Sequence, residues 1–402
     1  MLSVNLSKAW WGPPRKFNTE QKNRRVSWLE LFFDLVYVVA VSKTTHHFAN
    51  NITWNGFVEY ACFFVLIYWG WLNGSLHHDL HGNQGLRTRL LTLWQILIIA
   101  ALAIELDKSA HHHFTGITIV LMIMQGFITY LWWSVGFYDK NHRRYSWPYT
   151  LFYLLSLGIM GLSLLLHDDY LWLLLPATFI FNYIPPFISH QLLKRSGERL
   201  DLSSSMFERL GLFTIIVFGE LMLNIIDAIV AIPSLNASAW VNFVLAIGLI
   251  FALWWIFFTM IARREAKKNF ARASLLEVLY IPALIALGCL AAGFPAFFRS
   301  SEATVMQGLF NYAISVFLMV MSLMIGLLVF PEEFSNIIVP MRLTILAAGL
   351  AFLLAALLKP ALSPTLYLLL ADLLIGAEII YLNFVYYREL ARRGMQPSED
   401  QA

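Results

Sequence analysis

The chain has 402 residues; 59% are hydrophobic, only 13% are charged, and the formal net charge is +3. A soluble domain devotes about a quarter of its residues to charge, so the composition excludes a soluble, secreted or nucleic-acid-binding protein. Cys62 and Cys289 both sit in apolar runs, which argues against a disulfide framework and a structural zinc site.

Residues 1–26 are polar and basic, and no cleavable signal peptide is visible in them. Their Trp10-Trp11-Gly12-Pro13-Pro14 segment suits the membrane interface, where Trp is favoured. Mostly apolar runs of about 20 residues read as membrane spans. They fall near 27–49, 54–74, 88–106, 117–138, 146–166, 170–192, 206–230, 239–262, 275–295, 304–330, 337–358 and 364–387. The expected fold is all-α, a polytopic membrane helix bundle of about twelve transmembrane helices. Pro176, Pro185 and Pro186 predict a kink or break in the sixth run. The 275–330 stretch leaves room for a re-entrant piece.

Lys and Arg orient the bundle. Alternate connections hold 24 of the 28 basic residues, the opposite side holds Lys108, Arg299 and Lys359, and Lys43 falls within the first span. The rule that basic loops stay inside predicts a multi-pass protein of the cytoplasmic (inner) membrane with both termini cytoplasmic.

Ser27-Trp28-Leu29-Glu30 and Ser205-Met206-Phe207-Glu208 each open an aromatic-rich apolar run. The S-x-x-E spacing is that of a capping box, in which the Ser and Glu side chains bond each other's backbone amides. The pair suggests two parallel six-helix repeats, 27–193 and 206–387. A basic linker, 194–205, would join them, and 388–402 would form a cytoplasmic tail.

A charge inside a span costs about 2.5–3.5 kcal/mol on insertion scales and needs a reason. In the first span Glu30, Asp34, Tyr37 and Val41 share one stripe, continued by Thr44 and Thr45. In the seventh, Glu220, Asn224 and Asp227 share a stripe with Arg209, and Gly211 and Gly219 suggest close helix packing. Such faces turn from lipid toward a polar cavity, each other or a partner helix. Capping by Glu30 and Glu208, snorkelling by Arg209 and a structural Asp34–arginine pair are the plain alternatives. Lys43, Asn182, Asp372 and Glu378 are further candidates; Glu59 and Glu105 are charged as well, and Asp372 and Glu378 do not share a face.

All eleven histidines precede residue 191, with clusters at His77-His78-Asp79-Leu80-His81 and His111-His112-His113. The expected topology puts the first cluster with His142 and His190 on one side, and the second with His46, His47 and His167 on the other. They read as solvated loop histidines rather than one metal site. No catalytic elbow, phosphate loop or dinucleotide fingerprint appears, so no cofactor is expected and an enzymatic role is disfavoured.

At Ser27-Trp28-Leu29-Glu30-Leu31-Phe32-Phe33-Asp34-Leu35-Val36-Tyr37-Val38 the chain resembles the bacterial low temperature requirement protein A (LtrA) family, whose first span carries a W-x-E-L-F-x-D-L-V-F-V signature. Glu208-Arg209-Leu210-Gly211-Leu212-Phe213-Thr214-Ile215-Ile216-Val217-Phe218-Gly219-Glu220 resembles the family's E-R-x-G-L-F-x-I-I-x-x-G-E segment. Tyr37 and Phe218 are mild departures. The resemblance implies a membrane protein connected with growth in the cold, picks out Glu30, Asp34, Glu208, Arg209 and Glu220, and supplies no substrate.

The expected function is a secondary transporter, proton-coupled, of a small solute. Its polar path would run between spans 1 and 7, lined by Asp34, Glu220, Asn224 and Asp227, with carbonyls of the broken sixth helix near Asn182 adding ligands. The alternatives are an integral membrane enzyme or lipid-handling protein that adjusts the bilayer, and a non-transporting scaffold or sensor. The partners expected are the lipid bilayer, a small solute or proton, and further copies of the chain in an oligomer.

Overall fold

The computed structural model describes residues 14, 26–83, 85–108, 114–140, 142–166, 171–196, 203–232, 235–262, 264, 270–299, 303–330 and 335–393. The Trp10-Trp11 segment, His111–His113, His167, residues 197–202 of the linker and the end of the tail lie outside the described residues. Among the described residues every element is a helix: α1 (Trp28–Asn50), α2 (Trp54–His81), α3 (Leu86–Lys108), α4 (Phe114–Tyr138), α5 (Arg143–Ser163), α6 (Leu171–Tyr183), α7 (Pro185–Ser196), α8 (Ser204–Val230), α9 (Ala237–Met260), α10 (Phe270–Phe297), α11 (Ala303–Leu327), α12 (Ser335–Leu358) and α13 (Pro364–Arg393).

The distribution of side chains is inverted relative to a soluble protein. Glu30, Asp34, Arg209, Gln125, Asn182 and Asn311 are buried, whereas Leu350, Leu354, Leu357, Leu369, Leu373 and Ile380 are exposed. Large contiguous apolar faces are stable only against lipid or a partner.

Among the described residues eight helices, α3, α4 and α8 to α13, are long and apolar enough to cross a membrane by length and composition. Twelve spans were expected, and four runs fall short for identifiable reasons. Helix α1 carries Glu30, Asp34 and Lys43; α2 is rich in Trp, Tyr and His; α5 carries Ser146-Trp147-Pro148-Tyr149-Thr150, which lowers its hydropathy. The sixth run is divided into two short helices at Ile184. Among the described residues of 275–330, α10 and α11 are both full-length helices and no re-entrant piece appears.

The chain divides into two compact units. The first comprises residues 1–47, 54–209 and 268–274; the second comprises 48–53, 210–267 and 275–402.

In the first unit α3 packs on α4, α4 on α5, and α5 on both α6 and α7. Its core is aromatic: Trp69, Trp71, Trp132, Tyr145, Tyr149 and Tyr153 are fully buried, and Trp132 stacks on Tyr149 with centroids 4.0 Å apart. Buried indole and phenol groups need hydrogen-bond partners, and one side-chain amide serves two of them. Asn73 Oδ1 accepts from Trp132 Nε1 (3.2 Å) and Tyr153 OH (2.5 Å), while Asn73 Nδ2 donates to the Trp69 carbonyl (3.0 Å).

The predicted break in the sixth run has a chemical consequence here. The residue four beyond Asn182 is Pro186, which has no N–H, so the Asn182 carbonyl lacks its helical donor. Trp69 Nε1 donates to that carbonyl instead (3.0 Å).

In the second unit α11 packs on α12, α9 on α13, and α12 on α13. A cluster of Phe294, Phe297, Phe310 and Tyr367 fills its core, and Tyr367 OH donates to Asn311 Oδ1 (3.1 Å). Helices α12 and α13 bury the smallest share of their apolar windows, 28% each, so most of their surface faces outward.

The Ser27 capping box forms as the sequence predicts. Ser27 N donates to Glu30 Oε2 (2.8 Å), and Glu30 N donates to Ser27 Oγ (3.4 Å). We expect Ser27→Ala to cost about 1 kcal/mol of stability, read as a small drop in the thermal midpoint of the purified protein. At α8 the cap sits two residues earlier than expected. Ser203 Oγ accepts from Met206 N (3.2 Å), and Ser205 donates its hydroxyl to Asp79 (2.7 Å) instead of capping with Glu208, which is exposed.

Candidate functional site: a buried charge cluster

The acidic stripe of α1 turns inward, as its spacing requires. Glu30, Asp34, Tyr37, Val41, Thr44 and Thr45 are all buried. The two threonines satisfy themselves locally, donating to the carbonyls of Ala40 and Val41. Glu30 is 2% exposed and Asp34 and Arg209 are each 1% exposed.

Arg209, in the second turn of α8, grips Asp34 with its guanidinium fork. Nε donates to Asp34 Oδ2 (3.1 Å) and Nη2 donates to Oδ1 (2.5 Å). Trp71 Nε1 also donates to Asp34 Oδ1 (2.7 Å). The flat face of the guanidinium lies 5.6 Å from the Phe33 ring centre and 5.9 Å from that of Trp71. Bidentate pairing between aromatic walls suits arginine and would not suit lysine. Asp34 therefore meets a cation and an indole, not the open aqueous space expected of it. Arg209 does not snorkel; it is the counter-charge.

Glu30 faces two ways. Oε2 completes the capping box, accepting from the Ser27 hydroxyl as well as its amide. Oε1 lies 3.6 Å from Arg209 Nη1 and 3.8 Å from His78 Nε2. Glu30, Phe33, Gly74, His78, Thr92, Gln95 and Arg209 line a cleft of about 10 Å³, room for roughly one water molecule. Gly74 is needed at this approach, because a Cβ there would sit 2.7 Å from Gln95 Nε2 and 2.9 Å from Phe33 Cζ. Tyr37 OH, Ser75 Oγ and Gln95 Nε2 are buried around the cluster with no hydrogen-bond partner among the described residues. Buried polar atoms of this kind call for a mobile partner such as water.

The histidines of the 77–81 segment are not solvated loop residues. Helix α2 continues to His81, seven residues past the predicted span, and His77, His81 and His142 are buried. Rings of His77 and His81 stand edge-on to Trp132. His78 alone on this segment combines partial exposure, 17% of its side chain, with a carboxylate beside it. Asp79 Oδ1 accepts from Ser203 Oγ (2.6 Å) and Ser205 Oγ (2.7 Å), which places a carboxylate at the positive N-terminus of α8. Both residues lie in the His77–His81 cluster that the sequence shows, where a loop reading leaves them solvated and without a role. The signal was present in the H-H-x-x-H spacing, which only a continuing helix would give meaning. Among the described residues no three His, Cys, Asp or Glu side chains converge in a metal-binding arrangement.

The remaining candidates disperse. Asn182 is buried, and its Oδ1 accepts from Gln125 Nε2 (3.0 Å). Lys43 is exposed and pairs with Asp107 at 2.8 Å, and Glu59 lies 3.4 Å from His47. In the second unit Asn224 Nδ2 donates to Glu220 Oε1 (2.9 Å), and both residues are buried. Asp227, one turn later and close to the end of α8, is exposed, contrary to the expected inward stripe. Nor is close packing found at Gly219, where a Cβ would meet no described atom within 4 Å. Glu378 accepts from Thr344 Oγ1 (2.7 Å), and Asp372 faces Gly248.

No curated protein matches the chain. The family described as Bacterial low temperature requirement A protein (LtrA) matches residues 25–377, a span that begins just before the Ser27 cap and takes in Glu30, Asp34, His78, Arg209 and Glu220. The chain is therefore a membrane-embedded helical member of the LtrA family.

Proposed function

We propose that the protein is a proton-coupled secondary transporter of a small solute. In this reading it has about twelve spans in the bacterial cytoplasmic membrane, with both termini in the cytoplasm, and supports growth at low temperature. One observation carries the coupling: the partly exposed His78 imidazole stands 3.8 Å from the buried Glu30 carboxylate, in a cleft edged by Gln95, whose Nε2 has no hydrogen-bond partner among the described residues. Histidine is the side chain whose charge changes most readily near neutral pH, and an adjacent carboxylate stabilises the protonated ring. His78 takes up and releases the proton, Glu30 is its counter-charge, and the Asp34–Arg209 pair holds the site in place. Glu30 links the two, since one carboxylate serves both cations.

The test uses inverted membrane vesicles acidified inside, with a pH-sensitive dye and a panel of amino acids, sugars and monovalent cations. Wild type is expected to dissipate the gradient on addition of at least one solute class. Glu30→Gln and His78→Gln are expected to reduce that response to the level of vesicles lacking the protein. The scaffold reading is favoured by the complete pairing of Asp34, and it gains the upper hand if both variants keep the wild-type response.

A further inference from the structure

We infer that the groove between α11 and α12 is a binding site for an anionic phospholipid, whose phosphate sits on Arg342 and whose acyl chain lies along Leu323, Val339 and Leu343. The site belongs to the second unit and is separate from the charge cluster around Glu30.

The groove has a volume of about 240 Å³ and is lined by Met319, Ser322, Leu323, Val339, Arg342, Leu343 and Leu346. Leu323, Val339 and Leu343 are exposed, on a helix pair whose outer member α12 turns most of its surface outward. A hydrocarbon chain is the natural occupant of such a wall. Arg342 is the one charged residue in it.

Arg342 is held by hydrogen bonds across the helix pair. Its Nε donates to the Ser322 carbonyl (2.9 Å), and the Ser322 hydroxyl donates to the Arg342 carbonyl (2.9 Å). Among the described residues no carboxylate pairs with it. The two terminal nitrogens of the guanidinium are thus presented in the groove, in the fork geometry that matches a phosphate.

The depth is right for a headgroup. A Cβ on Gly326 would lie 2.8 Å from Arg342 Cζ and Nη2, so the guanidinium occupies the space over the last turn of α11, which ends at Leu327. Arg342 itself is in the second turn of α12, and helical side chains lean toward the N-terminus, here toward the same hairpin end. The charge therefore lies at the interface, with apolar wall running from it toward the membrane centre. In the connection after α9, the Arg264 guanidinium covers the Phe330 ring at 4.2 Å. That connection carries Arg263, Arg264, Lys267 and Lys268 in sequence, a composition that attracts anionic leaflets.

The proposal is tested by native mass spectrometry of the full chain released from mild detergent with dioleoyl phosphatidylglycerol or dioleoyl phosphatidylcholine. Wild type is expected to retain phosphatidylglycerol about fivefold better than phosphatidylcholine. Arg342→Gln should abolish the preference. Gly326→Leu, which displaces the guanidinium while keeping its charge, should do the same, and it serves if Arg342→Gln fails to fold. Equal retention of the two lipids by wild type would overturn the site, as would an undiminished preference in a folded variant. Displacement of the lipid by inorganic phosphate would overturn the lipid assignment in favour of a free-anion site.

Discussion

Arg209→Met is expected to destabilise the protein by about 3–5 kcal/mol, the largest effect of any single substitution in the first unit. Methionine fills much of the arginine's volume, so loss of packing is minor. The cost comes from Asp34, 1% exposed, which loses both bonds of the fork, and from Glu30, which loses the guanidinium 3.6 Å away. Arg209→Lys should fall between wild type and Arg209→Met, because it restores charge without the planar fork. Combining Arg209→Met with Asp34→Asn should recover part of the loss, since the double variant no longer strands that carboxylate. Thermal midpoints of the four proteins in one detergent give the order directly; a midpoint for Arg209→Met equal to wild type would remove the pair from the stability of the fold.

Asn73→Leu is expected to cost about 2–4 kcal/mol. The side chain is one of the joints of the aromatic core: it accepts from Trp132 and Tyr153 and donates to the Trp69 carbonyl. Leucine is similar in size, so the loss is that of an acceptor for two buried donors. Tyr153→Phe removes only one donor and leaves Trp132 bonded to Asn73, so it should cost about 1 kcal/mol. If the two substitutions are equally costly, the core is held by ring packing and the amide is incidental.

Much of this architecture is legible in the residues themselves. The spacing of Glu30, Asp34, Tyr37 and Val41 predicts a buried face, and the face is buried because lipid offers those groups nothing to bond. Ser27 and Glu30 announce the start of α1, and Pro185-Pro186 announce the break after Tyr183. What the sequence conceals is partnership. Asp34 and Arg209 are 175 residues apart, and nothing in the local pattern distinguishes a buried arginine from one that reaches for the interface. His78 reads as a solvated loop residue for a related reason. Hydropathy falls after Gly74, yet the helix continues because its polar residues face other protein, where Trp132 and the α8 N-terminus receive them. Asp227 shows the converse, since a shared stripe guarantees burial only while the helix remains inside its surroundings.

The most direct test of a proton held between His78 and Glu30 is nitrogen-15 NMR of the histidine-labelled protein in lipid nanodiscs, with the His78 signal assigned by its loss in His78→Gln. The account predicts that this signal titrates. Its midpoint should fall in Glu30→Gln, because removing the neighbouring negative charge disfavours the protonated ring. A His78 resonance that does not respond to pH in the folded protein, or whose midpoint is the same in Glu30→Gln, would contradict it.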